Sequence, residues 1–199
     1  PLIAKFMTHI TPEFRQILTE NIPKIELPDD SLVVHIRSGD VFRAVPHRKY
    51  GQPPCSYYTD VIRMKNWSKI FVLSQDRKNP CVDVVVKEVG GYKQQSVSED
   101  VGYMIAAKNL VISVSTLVNA AVTISEKLEN LYTFNHTRFI DINTMNCVPT
   151  NEFKWKVLRY WKNNEKQRKM ILNSKSCKKW EKLPKVSDRI VRNNLWDIN

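Results

Sequence analysis

The sequence predicts an α/β fold, a Rossmann-like parallel sheet with flanking helices, and a basic helical extension at the C-terminus. Short runs of apolar, β-prone residues alternate along the chain with stretches of helical periodicity, which is the pattern of βαβ units. Each predicted strand stops at small polar or charged residues. After residue 150 the chain becomes strongly basic, and no further strand is predicted.

These changes in composition divide the chain into three parts. Residues 1–30 are expected to form a helix and a linker, residues 31–150 the layered domain, and residues 151–199 the basic helical extension. The sequence begins at Pro1 without a segment that resembles a signal peptide. We therefore expect it to be a piece of a longer protein.

Four runs within the layered domain have the composition of short buried strands. Val, Ile, Leu and aromatic residues dominate them, and these residue types favour an extended backbone. They lie at residues 32–36, 69–73, 110–113 and 131–134. In a parallel sheet the carboxyl ends of the strands lie along one edge, which is where open α/β sheets bind ligands.

Helices are predicted before and between these strands. Thr11 and Pro12 are typical of an N-cap followed by proline at the first helical position, and Ser96 and Glu99 have the spacing of a capping box. Residues 79–88 fit a helix by their capping residues and a strand by their valines, and the helix is favoured. The other predicted helices cover residues 14–22, 55–64, 101–108 and 117–124.

The extension carries most of the positive charge. Residues 150–199 contain 14 Lys/Arg and 5 Asp/Glu, a net charge of +9 out of +11 for the chain. Phe153, Val157 and Trp161 fall at helical spacing, which predicts one or two amphipathic helices packed by an aromatic stripe. A uniformly basic domain would indicate a nucleic-acid partner, whereas this distribution indicates a near-neutral domain with a basic tail.

A non-catalytic binding module is the alternative to an enzyme. Trp155, Tyr160, Trp161 and Trp180 lie among lysines, where aromatic rings can stack on bases while the tail contacts nucleic acid or an anionic membrane. No apolar run approaches the roughly 20 residues of a membrane-spanning helix.

The four cysteines leave the compartment open. Cys55, Cys81, Cys147 and Cys177 contain no Cys-x-x-Cys pair, which argues against structural zinc. They fit disulfides in a secretory compartment and free thiols in the cytosol equally well. Glycosylation acceptor patterns begin at Asn66 and Asn135, and add only slightly to the secretory interpretation. The expected location is the Golgi or secretory lumen for a eukaryotic protein, and the cytoplasm for a bacterial or viral one.

Polar residues follow three predicted strands and would meet at one edge of the sheet. They are His35, Arg37, Gly39 and Asp40 after the first strand, Ser74 and Asp76 after the second, and Ser113, Ser115 and Thr116 after the third. A helix that begins after the third strand would present unpaired N–H groups and a positive dipole end, which suit a phosphate. Arg37 adds a planar set of donors for two phosphate oxygens. With His35 as a further donor, the combination suits a diphosphate.

Each of these signals also has a purely structural interpretation. His35 lies within an apolar run, where a histidine is more often a hydrogen-bonded core residue than a ligand. Arg37 and Asp40 could form an ion pair at a turn, with Asp40 capping a helix. Ser115 and Thr116 would be N-caps whatever the function. Their convergence on one edge favours the functional interpretation.

Several common sites are excluded by their missing motifs. The sequence has no Gly-x-Gly-x-x-Gly dinucleotide fingerprint, no Gly-x-x-x-x-Gly-Lys phosphate loop and no Gly-x-Ser-x-Gly nucleophile elbow. His9, His47 and His136 lie apart from one another and from paired carboxylates, so no metal site is predicted. Arg37 and main-chain amides would then neutralise a diphosphate without a metal.

The segment His35-Ile-Arg37-Ser-Gly-Asp40 resembles the His-x-Arg-x-Gly-Asp signature of the superfamily of α1,2-, α1,6- and protein O-fucosyltransferases. Later features are similar in order to those of the α1,2-fucosyltransferase-like families. A strand ends in Ser74-Gln-Asp76, and a helix preceded by acidic residues, here Glu99 and Asp100, leads into a strand with Ser and Thr, here residues 110–116. The resemblance covers residues 31–125.

This resemblance implies a GT-B glycosyltransferase in which the chain supplies the nucleotide-sugar half. It implies GDP-fucose as the donor, a glycan or glycoprotein hydroxyl as the acceptor, no divalent cation, and inversion at the anomeric carbon. Arg37 would bind the β-phosphate, and His35 the pyrophosphate or the fucose. Ser115 and Thr116 would bind a phosphate. An acceptor-side domain would precede the first motif, where the sequence has only about thirty residues.

The resemblance also suggests how the base is bound and how the reaction proceeds. Asp76 and Asp100 would contact guanine or ribose. Donors aimed at the diphosphate would stabilise the charge that develops as the glycosidic bond breaks, while an acceptor hydroxyl attacks from the opposite face. Asp40 is the nearest candidate base in the sequence, and a residue of the expected acceptor-side domain is an equal alternative. Leu117 stands where the family usually has aromatic residues, and Ser38 where it often has a second arginine, so the nucleotide and the sugar stay open.

Overall fold

The computed structural model describes residues 11–46, 50–134, 150–153, 161–173 and 180–183. Its six strands are β1 (Leu32–His35), β2 (Ile70–Leu73), β3 (Asn109–Val111), β4 (Asn130–Phe134), β5 (Thr150–Phe153) and β6 (Trp180–Leu183). They form one sheet in the order β2-β1-β3-β4-β5-β6. All neighbouring strands are parallel except β5 and β6, which are antiparallel. The predicted α/β class with a parallel sheet is confirmed.

Every helix predicted in the layered domain is present, and so is the predicted N-terminal helix. The helices are α1 (Pro12–Thr19), α2 (Cys55–Ile62), α3 (Pro80–Val89), α4 (Val97–Ala106), α5 (Thr116–Ile124) and α6 (Glu165–Asn173). A short 3-10 turn covers Gly39–Phe42. The ambiguous segment 79–88 is helical because Asn79 caps its first turn and Gly90, with φ of 79°, ends it. Ser96 and Glu99 form the predicted capping box of α4.

Strands β1 and β3 are buried along their whole length, and so on both faces, as strands of parallel sheets with helical crossovers are. Alternate residues of β1 enter two separate clusters of buried side chains. Leu32 and Val34 pack with α2 and α3 residues, whereas Val33 packs with Met104 of α4 and Val118 of α5. This two-sided burial explains why β1 reads as a continuous apolar run.

The chain after residue 150 differs from its prediction. No strand is predicted there, yet β5 pairs with β4 and β6 pairs with β5. Phe153, predicted on a helix, lies in β5, whereas Val157 is outside the described residues. The sequence of β5, Thr-Asn-Glu-Phe, is mostly polar, so no apolar run or alternation marks it as a strand.

One helix, α6, lies within the residues predicted as the helical extension, but Trp161, which was predicted on a helix, lies before it. Trp161 and Ile171 are fully buried in the same cluster as Leu32 and Val34. This segment therefore packs against the layered domain.

Candidate functional site

The strand order reverses between β1 and β3, and such a reversal predicts a crevice at the carboxyl ends of these two strands. From β1 the chain crosses to β2 on one side, and it then returns to β3 on the other side of β1. At such a reversal the connecting helices diverge, and open α/β sheets bind ligands there. The loop after β1, residues 36–43, is called the first loop below. It contains Arg37, and Ser113 follows β3 at the same edge.

Ser113 joins the two strand ends. Its Oγ accepts a hydrogen bond from the main-chain amide of Arg37 at 2.7 Å and lies 3.0 Å from Nδ1 of His35. Three of the predicted site residues are thus brought together across the reversal. Whether they contact a ligand stays a prediction.

His35 is held in its neutral form. Burial, and then the positive charge of Arg37, lower the pKa of His35 to about 3. Ser113 Oγ accepts from the Arg37 amide, and towards Nδ1 of His35 it can either donate its hydroxyl hydrogen or accept a second bond. In the tautomer in which Ser113 donates, the ring proton lies on Nε2.

The guanidinium of Arg37 is only partly used. Its Nη2 lies 2.5 Å from Oδ1 of Asp40, so the ion pair weighed in the sequence analysis is present. Its Nε is buried and has no hydrogen-bond partner among the described residues. A buried donor without a partner is costly and rare in folded proteins, so this side of the guanidinium is a candidate position for a ligand. Asp40 is half exposed.

Gly39 and Asp76 fix the conformation of the first loop. Gly39 has φ of +67°, which favours glycine, and Oδ1 of Asp76 accepts from its amide at 3.3 Å. The same oxygen accepts from the amide of Lys78 at 3.0 Å and from the Ser38 hydroxyl. Burial disfavours the Asp76 carboxylate, but these hydrogen bonds outweigh burial and lower the pKa of Asp76.

The loop contacts restrict what Asp76 and Ser74 can offer a nucleotide. Oδ1 of Asp76 is occupied by three donors, while Oδ2 lies 3.3 Å from Nζ of Lys78. Ser74 donates its hydroxyl to the main-chain oxygen of Asp76 at 3.0 Å, and its own carbonyl accepts from Tyr92 Oη at 2.6 Å. Asp76 therefore supports the first loop, and Oδ2 is the oxygen left for its predicted base or ribose contact.

Asp100 is a nearly buried carboxylate at the start of α4. It is 8% exposed, and Gln95 Nε2 donates to its Oδ1 at a long 3.3 Å. Burial raises the pKa of Asp100 to about 6. The pKa of Tyr92 is raised by burial and, to a smaller extent, by the negative charges of Asp100 and Asp76. Tyr92 thus lies in the field of both predicted base-binding carboxylates.

The start of α5 is a helix N-terminus without a side-chain cap. Ser115 occupies the N-cap position, as predicted, but its hydroxyl makes no capping bond. Ser115 is 6% exposed, and its Oγ has no hydrogen-bond partner among the described residues. Thr116 is the first helical residue and its side chain is exposed. Amides and a hydroxyl that lack side-chain partners here have the chemistry of an anion site.

Two contributors were missed because their contacts are distant in sequence. The sequence indicates only a capping role for Asn79, yet its Nδ2 donates to the main-chain oxygen of Arg37 at 2.8 Å. The sequence predicts Trp161 as part of the basic extension, yet its Nε1 donates to the Val41 oxygen at 2.6 Å. Nothing in the local periodicity predicts either contact, although an asparagine in a fully buried helix start is a signal for a second partner.

Cys55 and Cys81 form a disulfide that joins the first residue of α2 to the first turn of α3, with their Cα atoms 4.9 Å apart. For this pair the open choice between thiols and disulfides is resolved. Cys147 and Cys177 lie outside the described residues.

Among the described residues no group of three or more His, Cys, Asp and Glu side chains is placed to hold a metal ion. Within the same part of the chain, no helix has the length and apolar character needed to cross a membrane. Comparison with protein-family models, with curated proteins and with solved structures found no match to this chain.

Proposed function

We propose that the chain is the donor-binding half of an inverting, metal-independent glycosyltransferase that transfers fucose from GDP-fucose to a hydroxyl of a glycan or glycoprotein. Two features at the same strand reversal carry the proposal. One is the buried Nε of Arg37, and the other is the start of α5 at Ser115, which has no side-chain cap. Neither Nε of Arg37 nor the hydroxyl of Ser115 has a hydrogen-bond partner among the described residues.

The diphosphate would lie between these groups. Arg37 offers Nε and the remaining guanidinium N–H groups, and α5 offers the amides of its first turn together with the Ser115 hydroxyl. When the bond between the anomeric carbon and the β-phosphate oxygen breaks, negative charge accumulates on the diphosphate. Donors that already point at the leaving group stabilise this charge more than that of the intact donor, which lowers the barrier.

The base would lie toward Asp100 and Tyr92. The carboxylate of Asp100 can accept the two adjacent N–H donors of guanine, whereas uracil has only one such donor. Because the raised pKa of Asp100 reflects burial without a strong partner, a ligand that donates to the carboxylate would supply the missing hydrogen bonds. The hydrogen-bonding capacity of Asp100 therefore supports a guanine nucleotide in this proposal.

Asp40 is the proposed general base, and its ion pair with Arg37 would control when its carboxylate is available. A diphosphate that binds Arg37 would compete with Asp40 for the guanidinium. The carboxylate released from Arg37 could then take the proton of the acceptor hydroxyl as its oxygen attacks the anomeric carbon and GDP leaves.

Thermal unfolding of the full chain with GDP, UDP, GDP-fucose and UDP-glucose, each with and without EDTA, tests the proposal. GDP and GDP-fucose at about 100 times their Kd should stabilise the chain by about 2.7 kcal/mol, unaffected by the chelator. Equal stabilisation by UDP would contradict the guanine assignment, and loss of the effect in EDTA would contradict metal independence. No stabilisation by any nucleotide, with steeply salt-dependent binding to unrelated RNA, would support the nucleic-acid-binding module instead.

A further inference from the structure

We infer that Asn79 is a positioning residue for Arg37, acting from the start of α3 through the main chain of the first loop. The inference rests on the proposed function, because it concerns how the diphosphate-binding arginine is held. The side chain of Asn79 hydrogen-bonds main-chain atoms of Arg37 and Cys81, and it is not proposed to contact the ligand itself.

Asn79 is completely buried, with 0% of its surface exposed, and it takes part in four hydrogen bonds, one of which is the helical bond from the Val82 amide to its carbonyl oxygen. Its Nδ2 donates to the carbonyl oxygen of Arg37 at 2.8 Å, and its main-chain amide donates to Ser38 Oγ at 2.9 Å. Its Oδ1 accepts from the amide of Cys81 at 2.9 Å. One side chain therefore links the first turn of α3 to the peptide that follows Arg37.

Arg37 is thereby fixed at both of its main-chain polar atoms. Its N–H donates to Ser113 after β3, and its C=O accepts from Asn79 before α3. These two bonds point to opposite sides of β1, since β2 and β3 flank it. They set the direction of the Cα–Cβ bond, and so the position from which the guanidinium reaches the crevice.

The anchor of Asn79 is itself rigid. Cys81, whose amide holds Oδ1, is joined by its disulfide to Cys55 at the start of α2. Ser38, which accepts from the Asn79 amide, donates to Asp76 at the end of β2. Displacement of Asn79 would therefore require movement of α3 and of the loop after β2 together.

Only an amide side chain satisfies both neighbours. Aspartate and serine can accept from the Cys81 amide and so preserve the helix cap, but neither can donate to Arg37 in the manner of Nδ2. Asn79→Asp places an oxygen against the Arg37 carbonyl oxygen, and Asn79→Ser leaves that buried carbonyl without its partner. The two variants separate the positioning contact from the cap.

The test is a double-variant cycle on GDP affinity, measured by titration calorimetry on the full chain. Asn79→Asp should weaken GDP binding roughly tenfold or more, since small displacements of a binding group have effects of this size. In an Arg37→Lys background the same change should have little further effect, because Asn79 acts only through Arg37. Asn79→Ser gives the same comparison if the aspartate variant fails to fold.

The matched control is Val85→Ala, a change in the same helix. Val85 is fully buried on α3 and its side chain has no hydrogen-bonding group, so its truncation lowers stability without removing a hydrogen bond from the first loop. Its effect on GDP affinity should be small. If Asn79 variants bind GDP like the unaltered chain, or if their loss adds in full to that of Arg37→Lys, the inference is wrong while the proposed function stands. If the unaltered chain binds no GDP, the proposed function fails, and this inference fails with it.

Discussion

A single side chain, Arg37, lies at the centre of the candidate site. Its main chain is fixed by Ser113 and Asn79, while its guanidinium is shared between the ion pair with Asp40 and a buried Nε. The backbone contacts do not depend on the identity of the side chain. Changes to the guanidinium should therefore affect binding without affecting the fold.

Replacement of Arg37 by lysine tests this separation. Lysine keeps the positive charge but lacks Nε–H and the planar arrangement of donors, so we expect GDP affinity to fall roughly tenfold or more with an unchanged melting temperature. Titration calorimetry and circular dichroism on the same sample measure both quantities. Unchanged GDP affinity in this variant would remove Arg37 from the site.

Gly39 gives the first loop a backbone conformation that favours glycine, with φ of +67°. A Cβ at this position would lie 2.0 Å from Oε1 of Gln75, but Gln75 is exposed and its side chain can move. The left-handed φ is then the main cost of adding a side chain, and Gly39→Ala should lower the free energy of unfolding by about 1–2 kcal/mol. Urea denaturation should give the same loss in a Gln75→Ala background.

Gly90 provides the matched control for Gly39. It has φ of +79° with nothing within 4 Å of an added Cβ, so Gly90→Ala should cost a similar amount from φ alone. Gly39→Ala could instead lower the free energy of unfolding much more than Gly90→Ala, with the excess removed by Gln75→Ala. That result would show that the clash with Gln75, and not the backbone conformation, causes the loss.

Asp100 and His35 give opposite dependences of stability on pH. The pKa of Asp100 is raised from 3.8 to about 6, so the folded state favours its protonated form, and its contribution to stability is lost as pH rises through about 6. The pKa of His35 is lowered from 6.5 to about 3, so its contribution is lost as pH falls below 6.5.

Asp100→Asn should therefore raise the melting temperature at pH 7 relative to the unaltered chain, and the difference should shrink toward pH 4.5. The same variant should bind GDP more weakly, because the amide cannot accept both N–H donors of guanine. Thermal unfolding at several pH values and one GDP titration measure both effects. A pH-independent difference in melting temperature would contradict the raised pKa of Asp100.

At the scale of elements, the sequence predicts well where local signals agree. Strands β1 to β4 are apolar runs, and the helices of the layered domain carry caps such as Asn79 and Ser96 that the structure uses. The location of the candidate site can be predicted from these elements, because parallel strands bring their carboxyl ends together at one edge of the sheet. Strand β5 could not be predicted, since its polar sequence is defined by pairing with β4.

The support of the first loop by the C-terminal segment was also beyond prediction. Trp161 donates to the Val41 oxygen, and its ring meets that of Phe42 edge to face at 5.4 Å. Asn163 Nδ2 donates to the Arg43 oxygen at 2.9 Å. These contacts join residues 120 positions apart, and no local pattern encodes such a pairing.

Trp161→Phe should loosen the first loop while keeping an aromatic ring in the core. We expect a loss of about 1 kcal/mol in the free energy of unfolding from the missing hydrogen bond, together with weaker GDP binding. Trp67→Phe is the control, since Trp67 Nε1 donates to the Val61 and Ile62 oxygens at the end of α2. It should lose stability without losing GDP affinity, and a similar affinity loss in both variants would contradict support of the loop by Trp161.

At the scale of the whole molecule, the disulfide bears on both stability and compartment. Cys55 and Cys81 are 26 residues apart, and closing a loop of this length contributes about 3 kcal/mol in the chain-entropy model. Such bonds persist in oxidising compartments, so the finding favours the secretory lumen among the locations that the cysteine count leaves open.

The double replacement of Cys55 and Cys81 by serine should lower the free energy of unfolding by about 3 kcal/mol in urea denaturation. Dithiothreitol should lower the free energy of unfolding of the unaltered chain more than that of the variant, because only the unaltered chain has the Cys55–Cys81 bond to reduce. Equal stability of the unaltered chain with and without the reductant would contradict a stabilising disulfide.

The most direct measurement is a crystal structure of the full chain with GDP. The account predicts the diphosphate at the carboxyl ends of β1 and β3, with its oxygens bonded to the Arg37 guanidinium and to the first amides of α5, and with guanine against Asp100. A nucleotide bound elsewhere, or bound there while Arg37 contacts Asp40 alone, would contradict the central claim that Arg37 and the start of α5 together bind the leaving diphosphate.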